Sequence, residues 1–306
     1  MAYKHGVYTS EVATSMVAPI TGTAGLQVIV GTAPVNMLKD PAAAVNVPLL
    51  VSSYKEAVEA VGYLPDFANY TLCECISANF SVVGIAPMVL INVLDPAKHK
   101  IAITGGTVQV NDGVAVLEET GVLLEGLTVK SGSTTLTAGT DYTTTWNDDG
   151  TLNIVVLSTG AGKEATSLTV TGNKIDPSKV TAADIVGGVD ISSGKETGLE
   201  LVRQIYPRFG MTPGILLAPG WSHNPTVAAA LQAKTEGING NFDCVTYLDI
   251  STDAEEDGAE VYTDVRTAKE ALGATSPHAA ALWPMGAVGD KVYYLSALFA
   301  ALTAYT

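Results

Sequence analysis

The sequence predicts a mixed α/β (α+β) core domain that is interrupted by an inserted all-β domain and preceded by an extended arm. Residues 24–100 and 186–306 alternate apolar strand patterns with helix patterns, whereas residues 101–185 are rich in threonine and show strand patterns only. Residues 1–23 show neither a helical period nor a compact turn pattern. We therefore predict an N-terminal arm, a discontinuous core domain and an inserted domain of sandwich or barrel type.

The core domain is predicted from buried strands and from helices with clear ends. Residues 26–30 form a continuous apolar run that ends at Gly31, as in a strand buried on both faces. Ser53 and Glu56 form a capping box for a helix over 54–61, and Gly62 stops it. The same patterns predict further strands at 88–94, 215–218, 244–248 and 279–283, and helices at about 67–79, at 195–206 ending at Pro207, from Pro225 (capped by Asn224) to Gly237, at 263–272 and from Asp290 onward.

The inserted domain is predicted from its turns. Asn111-Asp112-Gly113 separates two alternating runs, 107–110 and 114–117, and this is a strong hairpin signal because glycine accepts the positive φ of a primed turn. A second hairpin joins 142–146 to 151–156. With 127–130 and 168–170, the segment contains six or more short strands and no convincing helix.

Both ends of the chain carry a segment without a partner in the sequence. The helix from Asp290 is apolar nearly all round, so we expect a following segment or a partner to cover it. The arm contains a strand-compatible run with no adjacent hairpin partner, which we predict to be a donor strand at a subunit interface: Gly6, Val7, Tyr8, Thr9, Ser10, Glu11 and Val12.

Composition and charge exclude several classes of function. The chain has 31 acidic against 16 basic residues and a formal charge of −15, which does not suit a phosphate backbone, so we expect no nucleic-acid partner. The most apolar stretch, 81–94, is interrupted by Gly84 and Pro87 and is too short to span a membrane, so we expect no membrane partner. Three cysteines in 306 residues predict buried thiols and folding in a reducing cytoplasm.

Motifs for chemistry are scarce in the sequence. It contains no G-x-G-x-x-G, no P-loop and no G-x-S-x-G, and its four histidines lack the spacing of metal ligands. A hydrolase constellation can be drawn from Ser222, His278 and Asp249 near predicted strand ends. We interpret the acidic residues at 253–257 as a solvated helix start. We therefore predict no catalytic residue, no cofactor and no metal site.

Several runs resemble the tail sheath proteins of contractile phage tails and tailocins. The resemblance covers nearly the whole chain and is loosest over the β insert. It rests on the order and spacing of these runs: GVYTSE at 6–11, IDPSKVTAADIVGGVD at 175–190, GLELV at 198–202, YPRFG at 206–210, PGILLAPGWS at 213–222, AKTEGING at 233–240, WP at 283–284 and GDKVY at 289–293.

The resemblance implies a mechanical function in the virion tail, which is assembled in the bacterial host cytoplasm. Sheath subunits stack as six-fold rings around a tail tube, held between baseplate and tail terminator, and contract to drive the tube through the target envelope. Extended arms join neighbouring subunits by adding strands to a sheet, and the resemblance assigns this donor role to residues 6–12. The partners implied are other sheath subunits, the tube protein, the baseplate and the terminator.

The resemblance also implies a difference. Family members continue beyond the apolar helix into a C-terminal domain that carries the acceptor sheet, and the present sequence is expected to lack it, so we expect this 306-residue chain to be largely monomeric. Two other classes of function stay open at this point. One is an α/β hydrolase-like or nucleotide-using enzyme with an inserted β domain, and the other is a carbohydrate-binding or adhesin-like module.

Overall fold

A computed structural model describes residues 25–103 and 106–305. In chain order, its strands and helices are β1 (Gln27–Gly31), β2 (Leu49–Val51), α1 (Tyr54–Val61), α2 (Thr71–Ile76), β3 (Met88–Asn92), β4 (Lys100–Ala102), β5 (Gly106–Asn111), β6 (Val114–Leu117), β7 (Thr128–Ser131), β8 (Thr134–Leu136), β9 (Tyr142–Trp146), β10 (Leu152–Val156), β11 (Ser167–Thr171), β12 (Asn173–Ile175), α3 (Ala182–Val186), β13 (Gly188–Val189), β14 (Glu196–Thr197), α4 (Ile205–Phe209), β15 (Ile215–Leu217), α5 (Pro225–Ala233), β16 (Val245–Asp249), α6 (Val265–Leu272), β17 (Ala279–Leu282), β18 (Gly286–Val288), β19 (Lys291–Tyr293) and α7 (Leu295–Tyr305).

A six-stranded sheet forms the main body, with the strand order β17-β16-β15-β1-β3-β2. The strands run parallel except β2, which pairs antiparallel with β3. In the centre, Val28 of β1 lies between Val89 of β3 and Leu216 of β15, and all three side chains are fully buried. The continuous apolar run of β1 is thus explained by cover on both faces of the sheet, as the sequence predicted.

The end signals of helix α1 are confirmed in part. The Ser53 hydroxyl accepts a hydrogen bond from the Glu56 N–H at 3.2 Å, and the Glu56 carboxylate accepts one from the N–H of Ser52 rather than of Ser53. Gly62 follows the helix with φ +78°. Ser53 thus caps one first-turn N–H as predicted, but the Glu56 carboxylate binds the residue before the cap, so the reciprocal half of the predicted capping box is not formed.

Three helix predictions need correction at their ends. The predicted helix 67–79 begins at Thr71 and continues as a π-helix, Ser77–Val83, that ends at the left-handed Gly84. The predicted helix 195–206 is instead β14, a 3-10 helix over Gly198–Gln204 and α4. Pro207 lies inside the first turn of α4, where the missing N–H costs nothing. Helix α5 ends at Ala233 and not at Gly237.

The predicted helix start at Asp290 is also wrong. Residues 286–293 form the hairpin β18–β19, with Gly289 at φ +65° in the turn, and α7 begins only at Leu295. The alternation of β19 explains the difference, since Tyr293 is buried while Val292 is exposed. Such a short strand is easily masked in the sequence by the long apolar run that follows it.

A second sheet is antiparallel and has seven strands in the order β8-β7-β11-β5-β6-β10-β9. It has a hydrophobic core of its own. Both predicted hairpins are present, β5–β6 and β9–β10, and the first turns at Asp112 (φ +50°) and Gly113 (φ +80°). Strand β8 was not predicted. The sheet encloses its own apolar residues, among them Leu152, Ile154 and Leu168.

The segment that returns from this sheet to the main body packs in the main core. Ile175, Val180 and Ile185 are buried there, although the predicted insert extends to residue 185. Helix α3, which the sequence did not predict, begins with a capping box between Thr181 and Asp184. The mixed α/β class is thus as predicted, while the exact domain boundaries remain a proposal.

Candidate subunit interface

Helix α7 has an unusual distribution of side chains. Its eleven residues include no charged one, and its inward face consists of small side chains: Ser296, Ala297, Ala300 and Ala301 are buried. The large side chains lie on the other face, where Phe299 is 46% exposed, Leu302 53% and Tyr305 68%. A helix that needed only to seat on its own core would show the opposite arrangement.

We call the outward face of this helix the α7 stripe. It consists of the exposed Phe299, Leu302 and Tyr305, flanked by Leu295 and Leu298, which are partly buried against Gly286 of β18. The exposed residues follow one another at a spacing of three, which places apolar side chains along one side of a helix. Contiguous exposed apolar surface is typical of sites that bind another protein, a membrane or a ligand.

The α7 stripe is held in place by contacts on its flank. The ring of Tyr247 on β16 meets the ring of Phe299 edge-on, with centroids 5.1 Å apart, and the Tyr247 hydroxyl donates a hydrogen bond to the Thr303 hydroxyl at 3.2 Å. Gly25 lies so close to Ala304 that a Cβ on the glycine would stand 3.0 Å from the Ala304 Cα. The chain therefore enters β1 beside the last turn of α7.

The first turn of α7 is bound by two buried carboxyl groups. Glu74 of α2 accepts a hydrogen bond from the N–H of Tyr294, and Asp249 at the end of β16 accepts one from the N–H of Ser296 at 2.9 Å. Burial raises the pKa of Asp249 to about 6, although hydrogen bonds from Ser296 and Ser222 lower it in part. Burial also raises the pKa of Glu74 well above its ordinary value, and the charge of Asp249 adds to that rise.

The hydrolase constellation does not assemble. Ser222 is fully buried, and its hydroxyl donates to the Asp249 carboxylate at 2.9 Å while accepting from the Asp249 N–H. His278 instead lies with its Nε2 3.8 Å from the Glu236 carboxylate. Ser222 and Asp249 thus belong to the hydrogen-bond network under α7, and the third member faces a different group.

The other candidate groups have structural surroundings. Cys73, Cys75 and Cys244 are free and buried as predicted, and burial raises the pKa of Cys73 and of Cys244 to about 12. Asp253 caps the 3-10 helix Ala254–Glu256 in the acidic cluster. In residues 25–103 and 106–305 no group of three or more possible ligands is placed to hold a metal ion. None of the helices in that part of the chain is long and apolar enough to cross a bilayer.

The sequence-based site lies elsewhere in the chain. Residues 6–12, the predicted donor strand, fall outside the described residues. The sequence predicted only that this helix needs cover. Which of its faces is exposed could not be predicted, because that depends on which side of the helix meets the sheet. The carboxyl pair was missed entirely, since Glu74 and Tyr294 are 220 positions apart.

Comparison with known proteins shows what the chain is similar to. No protein-family model matches the chain. Over 252 residues, or 81% of its length, the chain is 30% identical to a tail sheath protein of Burkholderia phage BcepMu. The chain spans about half of that relative, since the match covers 48% of it. This match agrees with the sheath-like runs in the sequence, and over the matched residues the chain is similar to a phage tail sheath protein.

Proposed function

We propose that this chain is the sheath-forming part of a contractile phage tail. In this proposal its copies stack as six-fold rings around the tail tube, between baseplate and terminator, and contract to drive the tube through the target envelope. The tail is assembled in the host cytoplasm. The match supports the structural role, because the relative is itself named a tail sheath protein.

The observation that carries the assembly proposal is the α7 stripe. Phe299, Leu302 and Tyr305 are each about half exposed or more. Full burial of such a side chain is worth about 1.5–3 kcal/mol, so the exposed half of each can contribute about 1 kcal/mol when a partner covers it. We propose that another part of the sheath assembly covers this stripe.

The proposed contact joins unlike surfaces. A contact between two different patches of one protein generates a closed ring if its rotation closes and an open helical array if it does not, and stacked six-fold rings combine both kinds of contact. The arm residues 6–12 are proposed as a second, strand-mediated link to a neighbour. Gly25, the first described residue, lies next to Ala304 in the last turn of α7.

The seven-stranded sheet is proposed to face outward on the particle. Its exposed side chains are mostly threonines and other polar groups, for example Thr143 and Thr145 of β9. It has a core separate from that of the main body. A substitution of exposed apolar residues there should therefore leave assembly intact.

Electron microscopy of sheaths assembled from this protein tests the proposal. Phe299→Ser combined with Leu302→Ser removes about 2 kcal/mol per contact, or about thirty-fold in affinity, so tubes should be lost at concentrations where the wild type forms them. Leu124→Ser is the matched control, because Leu124 is 44% exposed on the β insert. Wild-type tube formation by the double variant, with its circular dichroism unchanged, would refute the proposal.

A further inference from the structure

Tyr294 stands at the N-cap position of helix α7, and its side chain is not one of the capping types. The N–H of Tyr294 donates to the Oε1 of Glu74, and the N–H of Ser296 donates to the Oδ1 of Asp249. Glu74 comes from α2 and Asp249 from the end of β16, and these side chains are only 1% and 2% exposed. Two buried carboxyl groups from distant elements therefore do what a neighbouring serine or aspartate does in an ordinary helix.

The pair has no cation to balance it. Among the described residues no lysine or arginine forms an ion pair or hydrogen bond with either carboxyl group. The start of a helix supplies the equivalent of about half a positive charge, which is less than two carboxylates require. The titratable groups that interact with the pair are Cys75 on α2 and Tyr294 before α7. On the far side of Tyr294 lie Glu256 and His223, which stacks on Tyr294 and lies 3.6 Å from Glu256.

The hydrogen bonds distinguish the two carboxyl groups. Asp249 receives hydroxyl hydrogen bonds from Ser222 and Ser296 besides the Ser296 N–H, and donors of this kind stabilise a carboxylate. The second oxygen of Glu74, Oε2, is buried and has no hydrogen-bond partner. A charge on that oxygen would be uncompensated, so Glu74 is the group that keeps a proton when Asp249 is ionised.

We propose that Glu74 and Asp249 form a proton-controlled clasp on α7. While the pair holds at least one proton, the first turn of α7 stays bound to α2 and β16. When both groups lose their protons, two uncompensated charges repel each other beneath the helix and its seating on the sheet weakens. The clasp concerns the seating of α7 within one chain, so it goes beyond the proposed sheath function and does not depend on it.

Hydrogen exchange measured by mass spectrometry between pH 6 and pH 8.5 tests the clasp on the chain as it stands. Rates are corrected for intrinsic chemical exchange at each pH, and the β5–β6 hairpin, which lies on the other core, serves as internal reference. In the wild type we expect α7 amides to lose at least five-fold in protection at the higher pH, while the hairpin amides stay constant.

Glu74→Gln keeps the oxygen that accepts from Tyr294 but removes one charge, so α7 protection should become independent of pH. Glu59→Gln, on the exposed side of α1, is the matched control and should keep the wild-type dependence. If Glu74→Gln does not fold, Asp249→Asn replaces it with the same expectation. Equal α7 protection across the pH range in the wild type, or an unchanged pH dependence in the folded variant, would overturn the clasp.

Discussion

Exchanging side-chain size between the two faces of α7 tests whether the small face is the one that packs on the core. Ala300 is fully buried, and its neighbours on that face, Ala297 and Ala301, are fully buried too. Ala300→Leu adds three carbon atoms where the helix meets the sheet. Overpacking of this kind lowers the free energy of unfolding by about 1–3 kcal/mol. We expect about 3 kcal/mol for this variant, because the backbone beneath the helix is rigid.

Leu302→Ala, two residues away, is the matched substitution on the α7 stripe. A fully buried leucine loses about 2–5 kcal/mol on truncation to alanine. Leu302 is 53% exposed and its truncation leaves no enclosed cavity, so we expect about 1 kcal/mol. The variant with the smaller side chain should thus be the more stable one, in reverse of the usual order for an apolar helix.

Urea unfolding followed by tryptophan fluorescence measures both values. Trp146 packs on the second core, so Trp146→Phe is introduced into every variant to leave Trp221 and Trp283 as reporters of the main body. The transition midpoint should fall further for Ala300→Leu than for Leu302→Ala, at equal slope. A larger loss for Leu302→Ala would mean that the stripe belongs to the core and is not a contact surface.

Two further predictions concern single residues. Gly187→Ala should lower the free energy of unfolding by about 3 kcal/mol or more in thermal melts, because its Cβ would stand 1.9 Å from the Thr197 carbonyl oxygen. Gly194→Ala has the same φ of +69° but open space around it, and it should cost about 1 kcal/mol. Equal losses for the two variants would contradict the geometry. Burial raises the pKa of Asp249 from an ordinary 3.8 to about 6. The contribution of Asp249 to the free energy of unfolding is therefore fully present below about pH 4 and is lost as the pH rises through 6. The stability difference between wild type and Asp249→Asn should therefore shift against the wild type by up to about 3 kcal/mol between pH 4 and pH 7, and a difference independent of pH would refute this.

The sequence predicted those features that depend on a few neighbouring residues. The Ser53 cap and the hairpin at Asp112-Gly113 are decided by local hydrogen bonds and by the φ that glycine accepts, so they could be predicted directly. The buried strand β1 was equally predictable, because cover on both faces leaves a continuous apolar run.

The wrong predictions concern places where the tertiary structure decides. Pro207 predicted the end of a helix. In the structure Pro207 lies in the first turn of α4, where proline is tolerated. The long apolar run after Asp290 concealed the hairpin β18–β19. The carboxyl pair joins α2, β16 and α7, and no local pattern can bring such distant positions together.

The α7 stripe is proposed to be a contact surface of the assembled sheath, and the assembly proposal depends on it. A reconstruction of the intact tail by electron cryomicroscopy at side-chain resolution tests this most directly. We predict that Phe299, Leu302 and Tyr305 are covered by polypeptide from elsewhere in the sheath assembly. If these three side chains face solvent in the assembled tail, the proposal is contradicted.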